Sequence, residues 1–265
     1  MPYKQVNGVQ YYYEESGDKD DIIVFSHGLL WSGRMFDNQV QALKDDYKVI
    51  TYDFRGQGKT EVTESGYDFE TLYEDTIEFL KSFNKPVHFA GLSMGGMIGM
   101  RVAARNPELL KSLILLETSP DPEPDENIPK YKRLNMVAKY LGFKPVTKPV
   151  MKIMFSKSWL TDPYKKEDRK YWAKQLQSNN RKGIVRAVNG VIERTSVYDE
   201  LKNIACPTLI FVGEEDVATK PEKAEKLHDS IKGSRLIYIP KAGHTSTVEN
   251  PEPINKEIKE FLANQ

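Results

Sequence analysis

Residues 86–96 read Pro86-Val87-His88-Phe89-Ala90-Gly91-Leu92-Ser93-Met94-Gly95-Gly96. A short strand-like run at 86–90 passes directly into Gly91-Leu92-Ser93-Met94-Gly95, a G-x-S-x-G pentapeptide. Residues 97–105 then read as a small-residue helix that stops near Asn106-Pro107. A serine hydroxyl is a poor nucleophile at neutral pH and must be exposed beside a base and an anion-stabilising pocket. A sharp strand-to-helix turn provides that exposure, and small residues two before and two after the serine let the turn close. The side chain then sits at the positive end of the following helix. The pentapeptide alone also fits a glycine-rich turn with an incidental serine. The strand before it and the helix after it favour Ser93 as a nucleophile.

Working outward, residues 22–26 (Ile-Ile-Val-Phe-Ser) and 48–52 (Lys-Val-Ile-Thr-Tyr) are short apolar runs suited to strands buried on both faces. Residues 9–14 follow the turn dipeptide Asn7-Gly8 and read as a further strand. Residues 69–80 have helical periodicity, and 113–116 form another strand candidate. This alternation predicts βαβ units and a parallel sheet. Beyond Ser119 the texture changes. Pro120, Pro122, Pro124 and Pro129, interleaved with acids, mark a loop leaving the main body, and about 130–200 reads as helical throughout. Strand patterns return at 208–213 and 235–239, and residues 254–262 form a closing helix. The expected organisation is an α/β core over 1–119 and 201–265 with a helical cap inserted over 120–200.

Four histidines make the search for a base short. His88 lies mid-strand and suits a hydrogen-bonded core position, His228 lies on a Lys/Glu-rich helical stretch, and His27 suits a structural role at a loop. His244, in Lys241-Ala242-Gly243-His244-Thr245, follows the last strand in a loop flanked by small residues, where a base can move between nucleophile and leaving group. An acid must hold that imidazole in one tautomer. Asp216 follows the strand at 208–213, with Glu214 and Glu215 as rivals. The order Ser93, Asp216, His244 matches one known chain order for such a triad. Acyl transfer also needs two amides aimed at the developing oxyanion. The Met94 N–H, after the nucleophile, and the Leu29 N–H, in His27-Gly28-Leu29-Leu30, occupy the required places.

Taken together, His27-Gly28, Asp53-Phe54-Arg55-Gly56-Gln57-Gly58, Gly91-Leu92-Ser93-Met94-Gly95-Gly96, Gly213-Glu214-Glu215-Asp216 and Gly243-His244 followed by Glu249-Asn250-Pro251 resemble the α/β-hydrolase superfamily across nearly the whole chain. Within it, the chain is similar to small cofactor-free esterases, non-haem haloperoxidase-like perhydrolases and 3-oxoadipate enol-lactonases. The resemblance implies a mostly parallel eight-stranded sheet flanked by helices, with a variable helical cap, and structural roles for Asp53 and Arg55. Serine at the nucleophile position departs from the haloalkane dehalogenases and epoxide hydrolases, which use aspartate there. The function implied is a serine esterase acting on a small to medium, mostly apolar ester, with no metal or organic cofactor. A lactonase, a carbon–carbon bond hydrolase and a slow-turnover receptor remain as alternatives. In the cap, Met151, Met154, Phe155, Trp159 and Tyr164 suggest an apolar cavity, although such residues at helical spacing more often form core.

The bulk properties fit this expectation. The 265 residues carry 38 Lys and Arg against 38 Asp and Glu. No clustered basic stripe of the kind nucleic-acid binding requires is evident, and an ordinary mixed-charge surface is expected. A single cysteine, Cys206, rules out an internal disulfide. The N-terminal residues lack a basic-then-apolar leader pattern, and no apolar run approaches the length of a membrane helix. No Asn-x-Ser/Thr site occurs. A cytoplasmic protein with a small-molecule partner, and neither nucleic acid nor membrane, is expected.

Overall fold

A computed structural model describes residues 2–265. Eight strands form one sheet: β1 (Tyr3–Val6), β2 (Val9–Ser16), β3 (Ile22–Ser26), β4 (Lys48–Tyr52), β5 (Val87–Leu92), β6 (Leu110–Leu116), β7 (Thr208–Gly213) and β8 (Arg235–Ile239). Their spatial order is β1-β2-β4-β3-β5-β6-β7-β8. The β1/β2 and β2/β4 pairs are antiparallel, and every pairing from β4 across to β8 is parallel.

The continuous apolar runs are explained by burial on both faces. In β3, Ile22 and Val24 enter one core cluster while Ile23 and Phe25 enter the other. In β5, Phe89 faces the first, and Ala90 and Leu92 the second. Around the sheet pack α1 (Asp37–Leu43), α2 (Phe69–Lys81) and α3 (Met94–Arg105). Helices α4 (Ile128–Leu141), α5 (Lys144–Met154), α6 (Lys157–Thr161), α7 (Lys166–Ser178) and α8 (Arg181–Ile192) form the insertion. Helices α9 (Pro221–Ser230), α10 (Ser246–Glu249) and α11 (Pro251–Leu262) complete the chain. Helices α2, α3 and α9 cover the first face, whereas α1, α11 and much of the insertion contribute to the second cluster.

The structure departs from the sequence reading at several element ends. Strand β1 was not anticipated, because four residues before a turn carry too little periodicity. It exists because Val6 pairs with Val9 across the Asn7-Gly8 turn. The short α1 was likewise missed. Helix α3 starts at Met94 rather than 97, directly after the serine, and α11 starts at Pro251 rather than 254, with proline in the first turn.

Candidate active site

Ser93 stands at the junction of β5 and α3 with φ 52° and ψ −112°, a sparsely populated conformation for a residue with a Cβ. Its surroundings hold it there. The Ser93 N–H donates to Leu116 O (2.8 Å), and its carbonyl accepts from Met97 N (2.9 Å) and the Thr118 hydroxyl (2.7 Å). The flanking glycines are required by space: a Cβ on Gly95 would lie 2.1 Å from Ser26 O, and one on Gly91 2.4 Å from Gly95 C. Gly28 permits the loop after β3 to approach the same point, its would-be Cβ lying 3.3 Å from Ser93 Cβ.

The expected residues come together at the carboxyl ends of the parallel strands, where ligand sites of open α/β sheets are formed. Ser93 Oγ lies 2.9 Å from His244 Nε2, and His244 Nδ1 lies 2.8 Å from Asp216 Oδ2. Asp216 is held in turn by Ala218 N (2.7 Å) and Thr219 N (3.1 Å) at Oδ1, and by the Thr219 hydroxyl (2.8 Å) at Oδ2. All three side chains are buried. Of the rival acids, Glu215 instead accepts from Ser158 N (2.9 Å) in the insertion, and Glu214 is exposed.

The other histidines have structural partners. His27 Nδ1 lies 2.7 Å from Gly28 O, which can only accept, so Nδ1 carries the proton and Nε2 accepts from Phe54 N (2.9 Å). Burial pushes its pKa down, in keeping with a neutral ring that ties the end of β3 to the loop after β4. His88 contacts the Ser112 hydroxyl and Asp21, and His228 contacts the Ser234 hydroxyl. Asp53 accepts from Gly33 N and Lys59 N (both 2.8 Å), and Arg55 pairs with Asp75 (2.7 Å), both away from the serine.

Neither the Leu29 nor the Met94 N–H donates to another group among the described residues. Leu30, with φ 76°, is fixed on both sides: its N–H donates to Gln57 Oε1 (2.8 Å), and its carbonyl accepts from Asn179 Nδ2 (2.8 Å). Gln57 is buried, and its Nε2 lies 4.0 Å from Met94 Sδ. Sequence reasoning missed Gln57 and Asn179, and also two buried acids. Glu249 accepts from Gly243 N (3.0 Å), Thr245 N (3.2 Å) and Ser156 N (2.8 Å), clamping the two neighbours of His244, and burial pushes its pKa up to about 7. Glu117 is fully buried, and burial pushes its pKa well above the carboxylate range despite the nearby Ser246 hydroxyl and Gly213 N–H. Glu249 stood in a quoted motif, whereas nothing in the local sequence marks Glu117.

A cavity of about 130 Å³ opens over Ser93 and His244. Its walls are largely apolar, formed by Leu29, Met97, Val146, Val150, Ile184 and Val188 among others. Polar groups come from Glu123, Arg194, Asn135 and Tyr131, and burial pushes the Tyr131 hydroxyl up to about 12. Of the five cap residues that suggested a cavity but whose spacing more often means core, only Met154 lines it. Met151, Phe155 and Trp159 are buried core, with Phe155 and Trp159 stacked at 4.3 Å between centroids, and Tyr164 is 93% exposed. The helices carrying these residues also pack on one another, which burial-prone spacing alone does not resolve. Among the described residues no cluster of three or more His, Cys, Asp or Glu suits a metal ion, and no helix is long and apolar enough to cross a membrane.

Comparison with known proteins agrees with the architecture. The chain is 25% identical over 253 residues to RutD of Stutzerimonas stutzeri, which bears the name carbamate hydrolase, the match covering 92% of each chain. Among solved structures, an enol-lactonase from Burkholderia xenovorans superposes with a TM-score of 0.91 at 24% identity, over 99% of this chain and 100% of the other. A thermophilic esterase from Thermogutta terrifontis gives 0.90 at 25% identity, over 99% and 97%. The profile of the alpha/beta hydrolase fold matches residues 21–251, and the chain belongs to that family.

Proposed function

We propose that the protein is a serine hydrolase that cleaves small to medium, mostly apolar carboxylic esters through an acyl-enzyme intermediate. The observation that carries this reading is the hydrogen-bonded chain Asp216–His244–Ser93, with spacings of 2.8 and 2.9 Å, at the floor of an apolar cavity. The names of its relatives, a carbamate hydrolase and an esterase, support a hydrolase acting on small carbonyl substrates.

In this mechanism His244 Nε2 takes the Ser93 proton as Oγ attacks the ester carbonyl. Asp216 keeps the imidazole proton on Nδ1 and stabilises the imidazolium. The Leu29 and Met94 amides receive the oxyanion, and losing one such donor costs about 2.7–4 kcal/mol of transition-state stabilisation. The alcohol departs with the proton from His244. A water deprotonated by His244 then releases the acid and restores Ser93. The apolar walls exclude bulk water, which strengthens these electrostatic contacts. The chain's own groups complete every step.

The reading is tested with wild-type and Ser93→Ala protein on chromogenic esters of increasing acyl length and on lactones. Turnover that vanishes with the substitution supports it, and the preferred substrate separates an esterase from a lactonase. Turnover that survives in Ser93→Ala sinks the reading. A single stoichiometric adduct without turnover favours a hydrolase-like receptor.

A further inference from the structure

The chain's neutral charge conceals a strong asymmetry. Residues 128–160 hold eight of its 38 Lys and Arg and none of its 38 Asp and Glu, contrary to the evenly mixed surface expected from composition. On α4, Lys130, Lys132, Arg133 and Lys139 are all exposed. On α5, Lys144, Lys148 and Lys152 are exposed, with Lys157 just beyond. The insertion's ion pairs lie elsewhere, at Lys165–Asp168, Lys170–Glu167, Arg186–Glu64 and Arg194–Glu123. None of these eight cations forms an ion pair within 4 Å among the described residues, and only Lys157 has a carboxylate, Glu215, close enough to feel its charge.

The same surface carries large apolar side chains. Met136 and Tyr140 are 60% and 68% exposed. Met136 and Tyr140 stand four residues apart on one helix face, between Arg133 on one side and Lys132 and Lys139 on the other. Lys139 also lies over the Tyr140 ring, 5.4 Å from its centroid. The opposite faces of α4 and α5 line the cavity, through Leu134 and Ala138 and through Val146 and Val150. The two helices pack on each other, so their outer faces form the roof above the cavity.

We propose that this roof docks on the surface of an anionic lipid bilayer, with Met136 and Tyr140 entering the interface and the lysines meeting lipid phosphates. Cations around exposed apolar side chains on a helix face are the pattern of an interfacial helix. A purely electrostatic polyanion site would have no use for the exposed Met136 and Tyr140. Docking of this kind is peripheral and needs no spanning helix.

The test is flotation of the full-length protein with vesicles of phosphatidylcholine containing about 30% phosphatidylglycerol, and with phosphatidylcholine alone, at about 0.1 M salt. Binding to the anionic vesicles only, weakening as salt rises, is expected. Each surface cation contributes about fivefold, so Lys132→Gln, Lys139→Gln and Lys148→Gln together should weaken binding about 100-fold. Met136→Ser with Tyr140→Ser should weaken it about tenfold with little change in melting temperature, because both side chains are largely exposed. Ser93→Ala protein should bind as wild type does, so the result is independent of whether the hydrolase reading stands. Failure to bind anionic vesicles, or binding that survives either set of substitutions, overturns the proposal. Displacement from the vesicles by short duplex DNA at equal charge concentration overturns it in favour of a polyanion site.

Discussion

The side-chain amide of Asn179, between α7 and α8 in the insertion, donates to the carbonyl of Leu30, in the loop after β3, across 149 positions of sequence at 2.8 Å. Leu30 has φ 76°, a conformation that costs a side-chain-bearing residue roughly 1–2 kcal/mol. It is retained because Gln57 grips its N–H while Asn179 grips its carbonyl. Leu29, immediately before it, supplies one of the two proposed oxyanion amides. Removing the Asn179 grip should therefore loosen that amide without touching the serine or the histidine. Asn179→Ala is expected to lower kcat about tenfold with KM nearly unchanged, and to weaken a trifluoromethyl ketone inhibitor by a similar factor. An effect confined to KM, or none, would refute this positioning role.

Asp216 offers a sharper test of how the imidazole is held. Its Oδ1 receives two backbone N–H groups, from Ala218 and Thr219, and its Oδ2 faces His244 Nδ1. In Asp216→Asn the two backbone donors would keep the amide oxygen on their side and turn the NH₂ toward His244. Nδ1 would then have to accept, and the ring proton would move to Nε2, facing Ser93. That tautomer cannot take the serine proton. A loss of about 10⁴ in kcat at neutral pH is expected, with the fold intact by circular dichroism.

The elements that punctuate strand ends were legible from sequence, and those that bridge distant segments were not. Ser93, Asp216 and His244 each follow an apolar run that ends at small residues, so their common placement at one edge of the sheet follows from the βαβ alternation. Gln57 stood in a quoted motif without a role and Asn179 in none, since their roles arise only when β4's loop and the insertion meet the loop after β3. Glu117 is a similar case: it directly follows the end of β6, and only the packed core reveals a fully buried carboxyl there. In the insertion, helical spacing identified which residues are apolar. It did not separate Met154, on the cavity, from Met151 beneath it, because both lie on the inward half of α5.

Glu249 makes stability depend on pH. Its pKa rises from the ordinary 4.5 to about 7 in the folded protein. Between those values the folded state holds a proton that the unfolded chain has released, so stability falls as pH rises through the window. The contribution is about 3 kcal/mol across the full range. Glu249→Gln should remove that slope while keeping an acceptor for the Gly243 and Thr245 amides. Urea unfolding of both proteins from pH 5 to 8 measures it, and parallel profiles would rule out Glu249 as the source.

Glu123 and Arg194 join the two points where the chain leaves and re-enters the core. Arg194 Nη1 donates to Glu123 Oε2 (2.6 Å) and Val191 O (2.8 Å), its Nε donates to Asp121 O (3.1 Å), and Asn127 donates to Glu123 Oε1 (2.8 Å). With side chains only 7% and 5% exposed, neither charge can be rehydrated if its partner is lost. Arg194→Leu alone should thus destabilise the protein by about 3–5 kcal/mol. Adding Glu123→Leu removes the stranded carboxylate and should recover much of that loss, since a packed apolar pair is often as stable as a buried ion pair. Both residues line the cavity, so the double variant should also favour esters with longer apolar acyl groups. Urea unfolding of the three proteins, with acyl-length profiles for the stable ones, separates the two effects. A double variant no more stable than Arg194→Leu would mean that the arginine acts through its carbonyl contacts and not through Glu123.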